Sequence, residues 1–469
     1  MMIVLRRRIR VWLALWVALF AIYAATIPLA VAPGQRYAAD EPHHLLGAAA
    51  LADHGSLDAT PEYRAGEWRS FTAIAVTPLG HPVGGLRDEP TGPLVALMAL
   101  PVWALGGADA VALEWAAMAA LALVLAGGLA RRMVPEPWAT GGVCVVALSP
   151  PALAWSTTVG PEVPAALALT AAVLMALRAR ERPKPGRAAA CGLLVAPLPW
   201  LGSALLFPAA VLLVTVVSWL ARRSRGLAGL VAIEALLASM VMLITISDRL
   251  YGGLTPSAAG SLAPGAARGA YPGDPIGHVT RLVSVWLDRD AGLLRWAPVL
   301  ALAGVATWSL WRSRRERVSR ALSHLEDVEL ALGVTVAVVA AGLVPALLAP
   351  WLTGPWFPGR GLVPVLPMLA ALTAAGLRRM PRTGALLAAI TLVASVWLVA
   401  GLVLAGGGWS APTDGPWAGI EGVLPRWGTG SAGAAVLSLL PLAAIGALVL
   451  DERRRRGRRR PEALGEAAG

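Results

Sequence analysis

The segment Tyr37-Ala38-Ala39-Asp40-Glu41-Pro42-His43-His44 sets two carboxylates and two imidazoles side by side, just beyond an apolar stretch long enough to cross a bilayer. Ionisable groups at a membrane edge are costly and are kept where they act. A carboxylate within hydrogen-bond reach of a hydroxyl can take its proton. Asp40 and His44 are four residues apart and share a face if the segment is helical. The same residues also read as a helix start, with Glu41 as the N-cap and Pro42 as the first helical residue. A metal centre finds little support here, because no His-x-x-x-His or cysteine pair accompanies the cluster. Cys144 and Cys191 lie in apolar segments without metal or disulfide spacing.

Other charged residues stand at segment ends. Glu162 lies in Ser156-Thr157-Thr158-Val159-Gly160-Pro161-Glu162-Val163-Pro164, a tight break between two apolar runs. It is either a cap or the partner of Asp40 in a catalytic pair. Arg360 opens an apolar run in Trp356-Phe357-Pro358-Gly359-Arg360. Its rigid fork of donors suits phosphate oxygens, and lipid-head contact is the alternative. Arg289 and Arg295 flank a third turn, Leu287 to Pro298, and Glu114 is an ionisable residue inside an apolar run.

The elements that position these groups are membrane helices. The chain has 469 residues, 57% hydrophobic and 14% charged, with a mean hydropathy of +0.65. Apolar runs of about 18 residues or more recur, each able to span roughly 30 Å of hydrocarbon. They are continuous rather than alternating, which excludes a β-barrel. Spans are expected near 11–32, 109–130, 138–158, 163–179, 188–201, 203–220, 227–247, 291–311, 328–350, 361–377, 384–405 and 431–450. The first is read as a retained anchor.

With the N-terminus inside, these about twelve crossings put the arginine clusters Arg6–Arg10, Arg131-Arg132, Arg178–Arg187, Arg222–Arg225, Arg312–Arg320, Arg378–Arg382 and Arg453–Arg460 on the cytoplasmic face. The net charge of +12 is thus topological and does not imply nucleic acid. Pro93 to Gly106 is too short to cross and is expected to be juxtamembrane or re-entrant. The expected layout is one transmembrane domain, residues 1–450, with both termini cytoplasmic and 451–469 as a basic tail. Its outer loops are 33–91, 248–290 and 406–430. The first carries the Asp40 cluster.

The order and sidedness of these motifs resemble the GT-C superfamily of integral-membrane glycosyltransferases, in particular the protein O-mannosyltransferase, aminoarabinose transferase and RgtA/B/C/D-like group. Asp40-Glu41-Pro42-His43-His44 through Asp58 resembles the acidic motif of the first outer loop. His81-Pro82-Val83-Gly84 and Pro161-Glu162 resemble the motifs that follow, and Asp288 to Pro298 and Pro358 to Pro367 the later ones.

The resemblance implies an all-α bundle of about 12 transmembrane helices in the plasma membrane. It implies a polyprenyl-phosphate-sugar donor and an envelope glycan, lipid or protein as acceptor, joined with inversion on the non-cytoplasmic face. Asp40, Glu41 and Glu162 would then be catalytic, with Asp40 as the base. Arg360, Arg289, Arg295, His44 and His81 would bind donor phosphate or substrate. No cofactor is implied; a divalent metal is compatible with the pattern and not required by it. The resemblance departs at Met118, near the place where the group carries an arginine. The rival reading is a transporter or flippase of envelope precursors, which would place charges near the bilayer midplane.

Overall fold

A computed structural model describes residues 2–29, 31, 36–37, 40–73, 75–78, 92–222, 226–254, 281, 283–316, 323–348, 356–405, 408–409, 416–417, 443, 447, 450 and 454. Among these the fold is helical, without a β-strand. In chain order the α-helices are α1 (Met2–Thr26), α2 (Glu41–His54), α3 (Thr60–Ala65), α4 (Pro93–Ala130), α5 (Trp138–Ala147), α6 (Pro150–Trp155), α7 (Glu162–Glu181), α8 (Pro185–Val195) and α9 (Leu198–Leu201). They continue with α10 (Leu206–Ala221), α11 (Gly226–Tyr251), α12 (Ala301–Glu316), α13 (Ser323–Gly342), α14 (Val344–Leu348), α15 (Leu366–Arg379) and α16 (Pro381–Ala405). Seven stretches among the described residues are long and apolar enough to cross a membrane, and shorter apolar helices lie at Arg10–Thr26, Trp138–Ala147 and Pro298–Leu310. The chain is a multi-pass, all-α membrane protein.

Three expected spans differ in detail. The 138–158 span is two helices, because Pro150 and Pro151 cannot continue α5 and instead start α6. The 188–201 span divides between α8 and α9. The 291–311 span begins as two 3-10 turns, Leu293–Arg295 and Pro298–Leu300, before α12. The expected 431–450 span lies almost wholly outside the described residues. Non-helical backbone at Gly106 and Gly107 breaks α4 at the boundary read from the sequence, so 93–105 and 108–130 run in different directions.

Helix α15 forms the centre. Its residues from Leu366 to Leu377 are all buried, and it packs on α4, α5 and α12. A helix buried on every side belongs inside a bundle. Small residues let the backbones close: a Cβ on Gly142 of α5 would stand 2.5 Å from Ala374 Cα, and one on Gly376 would strike the Leu302 carbonyl. Lipid is as apolar as leucine, so such close packing supplies association that the hydrophobic effect does not. Helix α1 is tied to this core by Trp16 Nε1, which donates to the Ala117 carbonyl at 3.1 Å, and by Tyr23 Oη, which donates to the Ala147 carbonyl at 2.9 Å.

Candidate active site

Three helix starts meet at one arginine. Arg360 Nη2 donates to Asp40 Oδ2 at 2.5 Å, and its Nε donates to Glu162 Oε1 at 2.5 Å. The guanidinium bridges two carboxylates that are 320 and 198 residues away in the chain. The three side chains are 24%, 31% and 12% exposed, in the order Arg360, Asp40, Glu162. They are neither solvent-bathed nor sealed.

Each arm is built locally. Asp40 occupies the N-cap position of α2, one residue earlier than the sequence suggested, yet its side chain makes no cap hydrogen bond. It turns to Arg360 instead. Glu41 does not cap either: its Oε2 accepts from the Val159 N–H at 2.7 Å. Trp115 Nε1 of α4 donates to the Gly160 carbonyl at 2.8 Å. The turn before Glu162 is thus clamped from both sides, which fixes where α7 starts.

Gly359 has φ +90°, a left-handed value that suits glycine, and a Cβ there would strike Leu293. The turn at 287–295 therefore packs directly behind Arg360. Trp296 meets Phe357 with ring centroids 5.7 Å apart, and Arg360 itself lies 5.1 Å from the Trp356 ring and 6.0 Å from the Trp155 ring.

The electrostatics follow from these contacts. Removal from water pushes the Asp40 carboxyl up. The charge and hydrogen bond of Arg360, with His44 nearby, outweigh this and hold it at about 2. His44 and His43 are both pushed down to about 4, chiefly by burial. The two imidazoles are therefore neutral near pH 7. His43 Nδ1 is hydrogen-bonded to Tyr63 Oη of α3, which docks α3 on α2.

Of the other candidate residues, Arg295 Nη1 donates to the Arg289 carbonyl at 2.6 Å, and Arg295 lies 4.9 Å from the Trp296 ring. These arginines order the 287–295 turn; the Arg360 contacts do not include them. His44 is 2% exposed, and Glu114 on α4 has no ion pair among the described residues. His81 lies outside the described residues. No group of three His, Cys, Asp or Glu able to hold a metal ion occurs among the described residues.

Two cavities share Trp356, the ring beside the arginine. One, of about 210 Å³, is lined by Glu162, Arg360, Trp356 and apolar groups such as Leu201, Leu205 and Pro345. The other, of about 30 Å³, is lined by Tyr37, Glu41, Trp155, Trp356 and Trp409. The reading from sequence missed these aromatic walls. Trp155 lies within an apolar run, where a tryptophan looks like any other membrane residue.

The chain is thus an all-α membrane bundle with charged groups from three helix starts brought together. The crystal structure of ArnT from Cupriavidus metallidurans in the apo state has this fold: the two chains are 15% identical with a TM-score of 0.52, over 95% of this chain and 73% of that one. No family model and no curated protein matches the sequence.

Proposed function

We propose that the protein is a membrane glycosyltransferase that moves a sugar from a polyprenyl-phosphate donor to an envelope acceptor on the non-cytoplasmic face. The observation that carries this reading is the Asp40–Arg360–Glu162 bridge, whose Arg360 and Glu162 line a largely apolar cavity of about 210 Å³. A lipid-phosphate donor pairs one compact anion with a long apolar tail. The site offers one cation beside an apolar recess, and that fold is shared with ArnT.

In this mechanism Arg360 takes the donor phosphate in its fork, where it also steadies the charge of the leaving polyprenyl phosphate. Asp40 accepts the proton of the acceptor hydroxyl. The acceptor oxygen bonds to the anomeric carbon as the bond from that carbon to the phosphate oxygen breaks. A single displacement inverts the anomeric centre. A carboxylate held at about 2 is a weak base, so phosphate must draw Arg360 away from Asp40. That release restores Asp40 toward ordinary carboxylate basicity as the donor arrives. Glu162 keeps its hold on the arginine and orients it.

The test uses detergent-purified protein with radiolabelled polyprenyl-phosphate sugars and envelope fractions. Wild type should transfer label. Asp40→Asn should bind donor yet transfer about 10²–10⁴-fold more slowly, the usual worth of a general base. Normal turnover in that variant would move the base to another residue. Donor movement between leaflets without product would favour a carrier.

A further inference from the structure

The small cavity holds two buried polar groups that the protein leaves without a hydrogen-bond partner among the described residues: Tyr37 Oη and Trp155 Nε1. Tyr37 is 5% exposed and Trp155 3%. Buried donors of this kind are rare and costly unless something meets them. Tyr37 is fixed by an edge-on contact with Phe71, at 6.1 Å between ring centroids. Trp155 is fixed under Arg360. Neither ring is a free rotor waiting to turn away.

The cavity also adjoins the place where the reaction occurs. Trp155 and Trp356, which line it, lie 6.0 Å and 5.1 Å from the Arg360 guanidinium. A phosphate held by Arg360 would thus have its attached sugar at the mouth of this recess. At about 30 Å³ the recess admits one or two oxygen-sized groups rather than a whole ring.

We propose that this recess reads the hydroxyl edge of the transferred sugar, with Tyr37 Oη and Trp155 Nε1 as the recognising groups and Trp356 as the wall along which the ring lies. This rests on the glycosyltransferase reading and deepens it. The chemistry of the lining also selects the sugar. An indole N–H can only donate, so it needs an oxygen acceptor. Arg36, paired with Asp109 at 2.5 Å, and Glu41 line the same recess, so its wall carries both signs of charge. A protonated amine on that edge of the sugar has no lone pair with which to accept from the indole. The favoured substrate is a neutral, hydroxyl-bearing sugar. The phenol is pushed up to about 12, mainly by burial, so Tyr37 remains a donor at any physiological pH.

The test is titration calorimetry on the full chain in detergent with a short-chain polyprenyl phosphate and its glucosyl, mannosyl, galactosyl, arabinosyl and glucosaminyl esters. Wild type should bind at least one neutral sugar ester more tightly than the bare phosphate, and the glucosaminyl ester more weakly than the glucosyl one. Tyr37→Phe and Trp155→Phe should each weaken the best neutral ester by about 3- to 10-fold, the worth of one neutral hydrogen bond. Both should leave bare-phosphate affinity unchanged. Thermal stability of Tyr37→Phe should stay level, since the hydroxyl it loses has no hydrogen-bond partner among the described residues. If Trp155→Phe fails to fold, Tyr37→Phe alone decides.

Equal loss for bare phosphate and sugar ester would make the recess structural and overturn the proposal. So would a sugar contribution that Tyr37→Phe does not touch. Failure of wild type to bind bare polyprenyl phosphate would instead remove the glycosyltransferase reading, and the sugar subsite with it.

Discussion

The segment from Arg360 to Arg379 is held at its two ends by opposite means. At the start, one cation is gripped by two carboxylates from distant turns. Further along, α15 is gripped by contact alone, with Gly142 against Ala374 and Gly376 against the Leu302 carbonyl. The difference reflects the chemistry of the contacts. Ion pairs are tolerable where helix ends approach the interface and carry an excess cost inside hydrocarbon. Inside, tight small-residue packing is the main source of association. The charged end is therefore adjustable, because a new anion can compete for Arg360. The packed end is not.

Breaking the charged end should have the larger effect. Arg360→Ala leaves Asp40 and Glu162 facing each other without a counter-ion. Because the arginine is 24% exposed, the loss should be near the low end for a buried pair, about 3 kcal/mol. Donor binding should vanish with it. Arg360→Lys keeps the charge but not the fork, and should retain part of both. Thermal melts and donor titration on the same preparations check this. Unchanged donor binding in Arg360→Ala would separate the arginine from the phosphate.

At the packed end, Gly142→Val forces atoms into Ala374. Overpacking should cost about 2 kcal/mol, read as a lower melting temperature. The donor affinity of the surviving fold should stay at the wild-type value. A loss of donor affinity there would mean that the two ends are coupled.

Glu41→Gln sharpens the comparison within the charged end. It weakens a charge-assisted hydrogen bond to Val159 by about 1 kcal/mol, and α7 should remain in register. If transfer instead falls as far as in Asp40→Asn, Glu41 belongs to the chemistry and not to the clamp.

The remaining effect is on pH dependence, in two windows. His43 and His44 sit at about 4 in the native protein and near 6.5 when unfolded. The unfolded chain binds protons first, so stability declines as pH falls from roughly 6.5 to 4. Asp40, at about 2 in the native protein, contributes stability above its unfolded value, which is lost as pH drops through the native one. His44→Gln should flatten the first window and Asp40→Asn the second, in melts run across pH.

Much of this organisation is legible in the residues. Continuous apolar runs announce the helices, and charges placed at their ends mark Asp40, Glu162 and Arg360. What sequence does not reveal is which ends meet. Reading Glu41 and Glu162 as caps was reasonable, since an acid beside a proline is what a helix start looks like. Only the distant Arg360 shows why Asp40 turns away from its own helix. Arg360 itself read as a free fork for phosphate or lipid heads, and instead is occupied by the protein's own carboxylates. Hydropathy does separate the segment of α15, enclosed by protein and the less apolar of the two, from the more apolar α16, whose Val396 and Leu404 remain exposed.

The 320-residue separation of Asp40 from Arg360 also sets a timetable for biogenesis. At elongation rates of about 5–20 residues per second, roughly 16 to 64 s pass between synthesis of the acid and of its arginine. Through that interval the nascent chain carries Asp40, and then Glu162, without the cation that later joins them. The last third of the chain completes the site in a single step, so a truncated product stopping before Arg360 retains two acids and no means of closing over them.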